Sequence, residues 1–157
     1  MKKLFILFTL FFLICSLSFA TEKSYTLYKV GETITTDIFK FTLNSVRWDH
    51  GDEYFKPESG KNWLVIDCTV QNMTGSSAVF SSMLSLSLFD DDGYAQDVSY
   101  FTTTKGSLDG TLAPSQTMRG ELAYVVDSSH SCWELVFQPD WLNPDQYFYS
   151  IIKEQIK

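Results

Sequence analysis

The sequence predicts an all-β protein, an antiparallel β-sandwich preceded by an N-terminal signal peptide. Two observations carry the sandwich prediction. Short segments of alternating apolar and polar residues recur along the chain, separated by Gly, Pro, Asn and Asp, which is typical of strands with one buried face. One of them, Lys61–Asn72, contains four β-branched residues and no interior Gly or Pro, which favours a long central strand over a helix.

The first 20 residues have the pattern of an export signal. Lys2 and Lys3 precede an apolar run over residues 4–17, and the segment ends in Ser-Phe-Ala, which offers small residues to a signal peptidase. The run is somewhat short for a membrane span of about 20 residues. We therefore predict a signal peptide over residues 1–20 that is cleaved after Ala20. An uncleaved membrane anchor is the alternative.

Cys15 lies inside this apolar run and is a candidate lipidation site. Such a site needs a small residue just before the Cys and usually a Leu two residues earlier than that. Ile14 and Phe12 hold those positions. We therefore expect ordinary cleavage with Cys15 discarded, and lipidation is the less favoured alternative.

The rest of the chain suits one acidic domain. Residues 21–157 are enough for a single core, and we divide them into a tether over residues 21–30 and a sandwich domain over residues 31–157. Without Lys2 and Lys3 the chain keeps 10 basic and 19 acidic residues, a net charge of −9. Nucleic acids and anionic membranes attract basic patches, so we expect no nucleic-acid partner and only transient membrane contact through the signal peptide.

The N-terminal half is predicted to lead up to the central strand. It begins with a tether or first edge strand (21–29), a turn (30–32) and a short strand (33–36). A longer strand (39–48) and a surface loop (49–60) follow. In the longer strand the apolar positions change parity, and a one-residue insertion restores the face, so we place a β-bulge near Asn44-Ser45. In the central strand, alternation puts Leu64, Ile66, Cys68 and Val70 on one apolar face.

The C-terminal half is predicted to add further strands. Leu84, Leu86 and Leu88 alternate with serines, and Asp90–Gly93 would form a hairpin turn, with Gly93 at positive φ. Next come a return strand (94–98), a loop (100–110) and a Pro bend (111–115). Two strands (118–126 and 132–137) follow, with a turn (127–131) between them. The tail is ambiguous, because Asn143-Pro144 resembles a helix start, but we favour a last strand over residues 147–152.

These segments resemble a family of secreted and lipid-anchored proteins of Gram-positive bacteria, catalogued as a domain of unknown function with a telokin-like, immunoglobulin-like sandwich. The similar segments are the Val-Gly-Glu opening, the strand that ends in Asn72, the Asp/Gly hairpin and the Pro turn with its following strand, at residues 30–32, 60–72, 86–93 and 112–122. Ser115 stands where the family usually has Gly, which allows a different turn type. The resemblance implies no catalytic residues.

Candidate chemical groups are few. His50 and His130 lie in polar loop regions without the partner spacing of a metal or nucleophilic site, so we interpret both as solvated. Asp90, Asp91 and Asp92 are weak calcium candidates, although Asp-Asp-Gly also suits a tight hairpin. We predict no metal and no cofactor.

The two cysteines of the mature chain are predicted to stay free. An immunoglobulin-like sandwich often bridges its sheets, and export permits a disulfide. Cys68 lies on the apolar face of its strand, however, whereas Cys132 lies opposite the face of Trp133, Leu135 and Phe137. Their Cβ vectors should therefore diverge. We expect Cys68 to be a buried, unreactive thiol.

We expect a secreted, non-enzymatic binding module, located outside the cell or at its envelope, whose partner is an unknown protein or envelope component. In such folds loops or a free strand edge carry recognition. The candidate surfaces are the loop over residues 49–60 and the aromatic tail, with Trp141, Tyr147, Phe148 and Tyr149, although core packing of these aromatics is the alternative. A structural envelope module, and less favourably a calcium-binding protein or hydrolase, are the alternative functions.

Overall fold

The computed structural model describes residues 25–157, so the signal peptide and Cys15 lie outside the described residues. One short helix, α1, spans Ser82–Ser85, and a 3-10 turn spans Lys153–Gln155. The strands, numbered β1 to β11 in chain order, are Leu27–Lys29, Thr33–Thr35, Phe39–Asp49, Lys61–Asn72, Ala78–Phe80, Leu86–Asp90, Asp97–Ser99, Gly110–Leu112, Thr117–Asp127, Cys132–Phe137 and Tyr147–Ile152.

Two sheets form the sandwich. The five-stranded sheet has the order β2-β3-β4-β9-β7, and the four-stranded sheet has the order β1-β11-β10-β6. Neighbouring strands within them are antiparallel, except that β1 runs parallel to β11. Strands β5 and β8 pair as a separate ribbon. Because strands make up about half of the described chain and helix is almost absent, this arrangement confirms the predicted all-β sandwich.

Strand β4 is the centre of the five-stranded sheet. It pairs along its length with β3 and β9, and its predicted apolar face is fully buried. The predicted bulge is present, because the register between β3 and β4 shifts between Leu43 and Ser45. At the end of β4 the buried Asn72 side chain donates to the carbonyl oxygens of Ser76, at 2.7 Å, and Leu112, at 3.0 Å. Asn72 thereby fixes the chain where it leaves the sheet.

The core lies between the two sheets and is rich in aromatic rings. Phe41 of β3 stacks on Phe137 of β10 with ring centroids 4.4 Å apart, and the Trp48 and Trp133 rings meet edge to face at 5.6 Å. Aromatic pairs in these arrangements contribute about 0.5–1.5 kcal/mol beyond the burial of their area. The contacts therefore join the sheets face to face.

The cysteine prediction is confirmed. Cys68 and Cys132 are both free, and Cys68 is fully buried whereas Cys132 is half-buried. Burial raises the pKa of the Cys68 thiol well above its ordinary value, so the thiolate is disfavoured and this cysteine is a packing residue.

One sequence prediction needs correction, and the structure decides two alternatives that the sequence left open. Leu84 is not in the alternating strand, because it lies exposed in α1, whose first residue is held by hydrogen bonds from Ser82 to the Asp109 carboxylate. Residues 27–29 are an edge strand, which is the second of the two alternatives predicted for this segment. The turn at Ser115 needs no different type, because Ser115 itself adopts φ +62°. That left-handed conformation after Pro114 is typical of a type II turn.

The return strand after the Asp/Gly turn is also only partly as predicted. Gly93 has φ +86° and its N–H donates to the Asp90 carbonyl oxygen at 3.1 Å, so the tight turn is present. Residues 94–96 fold back on β6, but residues 97–99 form β7, which pairs with β9 of the opposite sheet. The chain therefore crosses between sheets inside the segment predicted as one strand. No helix among residues 25–157 has the length and apolar character needed to cross a membrane.

Candidate functional site

A concave surface lies on the outer face of the four-stranded sheet, and we call it the outer groove. It encloses about 670 Å³, a size within the range of about 300–1,000 Å³ that is common for ligand sites. Alternation along β10 creates it, because Trp133, Leu135 and Phe137 turn towards the core while their neighbours face outward. The residues used below are Leu27, Leu84, Phe89, Glu134, Val136 and Phe148.

Glu134 occupies the middle of the outer groove. It lies between Phe89 of β6 and Ser150 of β11 in the strand register. Burial raises the pKa of the Glu134 carboxyl group, and the Tyr25 hydroxyl only partly offsets this effect. Among the described residues no Lys, Arg or His forms an ion pair with Glu134. The carboxylate is therefore a half-buried charge without a cationic partner.

Apolar side chains surround this carboxylate. Val136 is buried at the floor, Phe89 and Phe148 are half-buried, and Leu27 is exposed at the β1 edge. Tyr25 packs its ring on Phe148, with centroids 4.5 Å apart, and extends the rim. The groove can therefore accept an apolar body and present one carboxylate to it.

A cluster of polar groups closes one end of the outer groove. The His130 Nδ1 atom is hydrogen-bonded to the Asp91 carboxylate, and its Nε2 atom lies 3.5 Å from the Asp90 carboxylate. This hydrogen bond raises the pKa of His130 and lowers that of Asp91. Cys132 lies nearby, with its Sγ atom 3.9 Å from Asp91, but burial and the Asp91 charge raise the pKa of its thiol. A nucleophilic thiol needs the opposite shift.

The three weak calcium candidates do not converge. The Asp90 carboxylate is occupied within its own turn, because it accepts from the Tyr94 N–H at 2.8 Å and the Gln96 side chain at 2.9 Å. Asp91 points to His130, and Asp92 is exposed. Within residues 25–157 no group of three His, Cys, Asp or Glu side chains is arranged to hold a metal ion. The geometry therefore favours the tight-turn interpretation of this segment.

The predicted aromatic surface is divided between exterior and core. Trp141 is 68% exposed, and Phe148 lines the outer groove. Tyr147 is half-buried and packs against Phe137 at 6.1 Å. Tyr149 is wrong as a surface residue, because it is fully buried. Its hydroxyl donates to the carbonyl oxygens of Glu32 at 2.8 Å and Phe41 at 3.3 Å.

The predicted loop over residues 49–60 borders a second, smaller cleft, on the outer face of the five-stranded sheet. Asp49 is the last residue of β3, so the loop itself begins at residue 50. The cleft encloses about 500 Å³. Phe55 of the loop stacks on Phe101 at 6.5 Å, and Tyr54 is exposed. The loop therefore contributes a second aromatic surface, away from the outer groove.

Sequence reasoning missed the outer groove. Alternation places Glu134 and Val136, like Cys132, on the face of β10 opposite the core, but no sequence feature singles them out. The sequence signal for the groove was that two apolar residues, Val136 on β10 and Phe148 on the neighbouring strand β11, face outward. An apolar residue on the outer face of two neighbouring strands indicates a covered or ligand-binding surface.

The domain family described as Domain of unknown function (DUF4352) matches residues 28–146. A comparison with curated proteins found no match.

Several solved structures share the fold. The yjhA protein of Bacillus subtilis aligns at 20% identity and a TM-score of 0.60, over 80% of this chain and 99% of that one. A secreted protein of Mycobacterium tuberculosis, MPT63, aligns at 13% identity and a TM-score of 0.54, over 83% and 99% of the two chains. At these identities the likeness shows the fold alone.

A third similar structure belongs to a longer protein. It is the candidate lipoprotein ycdA of Bacillus subtilis, which aligns at 20% identity and a TM-score of 0.61 over 84% of this chain. The present chain spans 40% of the length of that protein. Of these three neighbours, one is described as a secreted protein and one as a candidate lipoprotein.

Proposed function

The chain belongs to the DUF4352 family, and from that premise we propose that it is a non-enzymatic binding module, exported to the cell envelope or beyond it, whose ligand site is the outer groove. Export is supported by the signal-peptide pattern of residues 1–20. It is further supported by the description of two structural neighbours as a secreted protein and a candidate lipoprotein.

The outer groove is the observation that carries the proposal. Leaving apolar surface in contact with water costs about 25 cal/mol per Å², and concave apolar surfaces with a few polar groups are the usual form of a binding site. Here Phe89 and Phe148 flank one half-buried carboxylate in a space of about 670 Å³. When a ligand covers a groove of this kind, it removes the apolar surface from water and lowers the free energy of the system.

The polar end of the groove supports binding rather than catalysis. A cysteine nucleophile needs a base within hydrogen-bond reach and a lowered pKa, whereas the pKa of Cys132 is raised. His130 directs its ring nitrogens to Asp90 and Asp91 rather than to the thiol. These groups hold the turn after β6 against the start of β10, which gives the groove a rigid end.

A pull-down with three single-site variants tests the proposal. The protein, purified in the form that the cell exports, is used to capture partners from envelope extract and culture medium. Phe148→Ala changes the outer groove, Phe101→Ala changes the second cleft, and Trp141→Ala changes the exposed tail. We expect Phe148→Ala to abolish capture and Phe101→Ala to retain it, while Trp141→Ala, in the cleft that adjoins the groove, should weaken capture only partly.

The three variants also separate the competing surfaces. Loss of capture only with Phe101→Ala or only with Trp141→Ala would move the site to the loop cleft or to the tail. A thermal unfolding curve for each variant must accompany the pull-down, because a loss of capture is informative only if the domain remains folded.

A further inference from the structure

We propose that the outer groove binds a peptide segment that carries one lysine or arginine side chain between apolar residues, with Glu134 as the counter-ion. This inference rests on the proposed function and specifies its ligand. Three features carry it: the charge of the groove, the surroundings of Glu134 and the extent of the apolar surface.

The charge of the groove selects a cation. Among residues 25–157, its ionisable lining residues, apart from the Cys132 thiol, are three carboxylates, Asp90, Asp91 and Glu134, and no Lys or Arg lines it. His130 pairs with the two aspartates at the end of the groove, so Glu134 is the carboxylate that is left for a ligand. On the same face, the basic residue Lys29 lies opposite Ser150, while Ser150 lies opposite Glu134. Lys29 is thus two strands from Glu134 and outside the groove. The chain as a whole is also acidic, with a net charge of −7, so anionic ligands are repelled.

The surroundings of Glu134 select an apolar stem behind that cation. A half-buried carboxylate is disfavoured unless an opposite charge compensates it. Phe89 lies directly opposite Glu134 on β6, and Phe148 is on the neighbouring strand. Lys and Arg side chains have this combined character, because their methylene stems pack on apolar surfaces while the charged end forms an ion pair. The cation can also lie over an aromatic face.

The extent of the apolar surface selects a peptide over a small amine. Leu84 lines both the outer groove and an adjoining cleft that contains Val79 and Trp141. Val79, Leu84 and Trp141 are all more than half exposed. The apolar surface therefore continues beyond the space around Glu134, and an extended segment with apolar neighbours covers more of it than a single amine can.

Synthetic peptides test the ion pair directly. The probe is the N-acetylated, C-amidated peptide Leu-Phe-Lys-Val-Leu, and its matched control carries Gln in place of Lys. Binding is measured by titration calorimetry with the exported form of the protein at low and high salt. We expect the Lys peptide to bind at least tenfold more tightly than the Gln peptide, and the difference to shrink at high salt.

Variants of the protein place the ion pair at Glu134. Glu134→Gln keeps the shape of the side chain, and we expect it to remove the preference for Lys while the Gln peptide binds as before. Glu134→Lys should reverse the preference and favour a Glu-containing peptide. Phe101→Ala, in the second cleft, is the matched control and should bind like the unchanged protein.

Each contrary result has a defined meaning. Equal binding of the Lys and Gln peptides, or an unchanged preference in Glu134→Gln, would overturn the ion pair. Binding of n-butylamine as tight as that of the Lys peptide would overturn the peptide occupant. If no peptide binds while Phe148→Ala still abolishes capture in the pull-down, this inference fails and the proposed function stands. If Phe148→Ala leaves capture intact, the proposed function fails as well.

Discussion

Replacing Tyr149 tests whether the aromatic tail is part of the core. Tyr149 is fully buried in β11, and the centroid of its ring lies 5.9 Å from that of Phe41 and 5.8 Å from that of Tyr28. Truncating a buried aromatic side chain to alanine costs about 3–5 kcal/mol, because transfer free energy is lost and a cavity remains. Since the stability of a typical domain is about 5–15 kcal/mol, Tyr149→Ala should remove a large part of it.

A second variant separates the ring from its hydroxyl. Tyr149→Phe keeps the ring but removes the hydrogen bonds to the carbonyl oxygens of Glu32 and Phe41. Leaving buried polar groups unpaired costs about 1–3 kcal/mol. We therefore expect a graded series, in which Tyr149→Phe loses less stability than Tyr149→Ala.

The measurement is chemical and thermal unfolding followed by circular dichroism. A domain of this size loses roughly 4 °C of Tm per kcal/mol, so Tyr149→Ala should lower the Tm by roughly 12–20 °C. The matched control is Phe148→Ala, one residue earlier in β11. Because the Phe148 ring is half-buried, its removal should lower the free energy of unfolding by only about 1 kcal/mol. If Tyr149→Ala is no more destabilising than Phe148→Ala, the orientation of β11 described above is wrong.

Three further predictions concern stability and reactivity. Gly120→Ala should destabilise the protein by about 1–3 kcal/mol in urea unfolding, because an added Cβ would lie 2.6 Å from the Ser107 carbonyl carbon; an unchanged midpoint would contradict this close approach. The pKa of His130 is raised by Asp91, so its stabilising contribution is present below the unfolded-state pKa and lost as pH rises through the folded-state value. His130→Gln should accordingly be less stable than the unchanged protein at pH 5 but similar at pH 9, and a gap that widens with pH would reverse the sign. In thiol titration of the folded protein Cys132 should react and Cys68 only after denaturation, and equal rates would show that β4 is not buried.

The alternation of side chains between the two faces of a strand was sufficient to predict much of the fold. The bulge near Ser45 follows from a change of apolar parity within β3, and the divergence of Cys68 and Cys132 follows from their places in β4 and β10. These features depend only on which face a side chain occupies. The same rule would have separated buried Tyr149 from Phe148, because adjacent residues of a strand face opposite sides.

Features set by distant residues could not be predicted. Leu84 continues the alternation of Leu86 and Leu88, but the chain turns into a helix there, where Asp109 binds both the N–H and the hydroxyl of Ser82. The edge that Leu27 adds to the outer groove likewise depends on the parallel docking of β1 beside β11. Both contacts join segments far apart in sequence, and local pattern carries no information about them.

The parallel pairing of β1 with β11 also determines how the domain bears a mechanical load. The two strands are parallel, and a force on the chain ends acts on the N-terminal end of β1 and on the C-terminal end of β11. Such a force therefore draws the strands in opposite directions along their shared axis. The backbone hydrogen bonds between residues 27–29 and 148–150 are then strained together, whereas an antiparallel hairpin pulled at its open end would break them one after another. Forced unfolding is governed by the barrier for this step, so a domain tethered by its N-terminus and pulled from its C-terminus resists extension in shear.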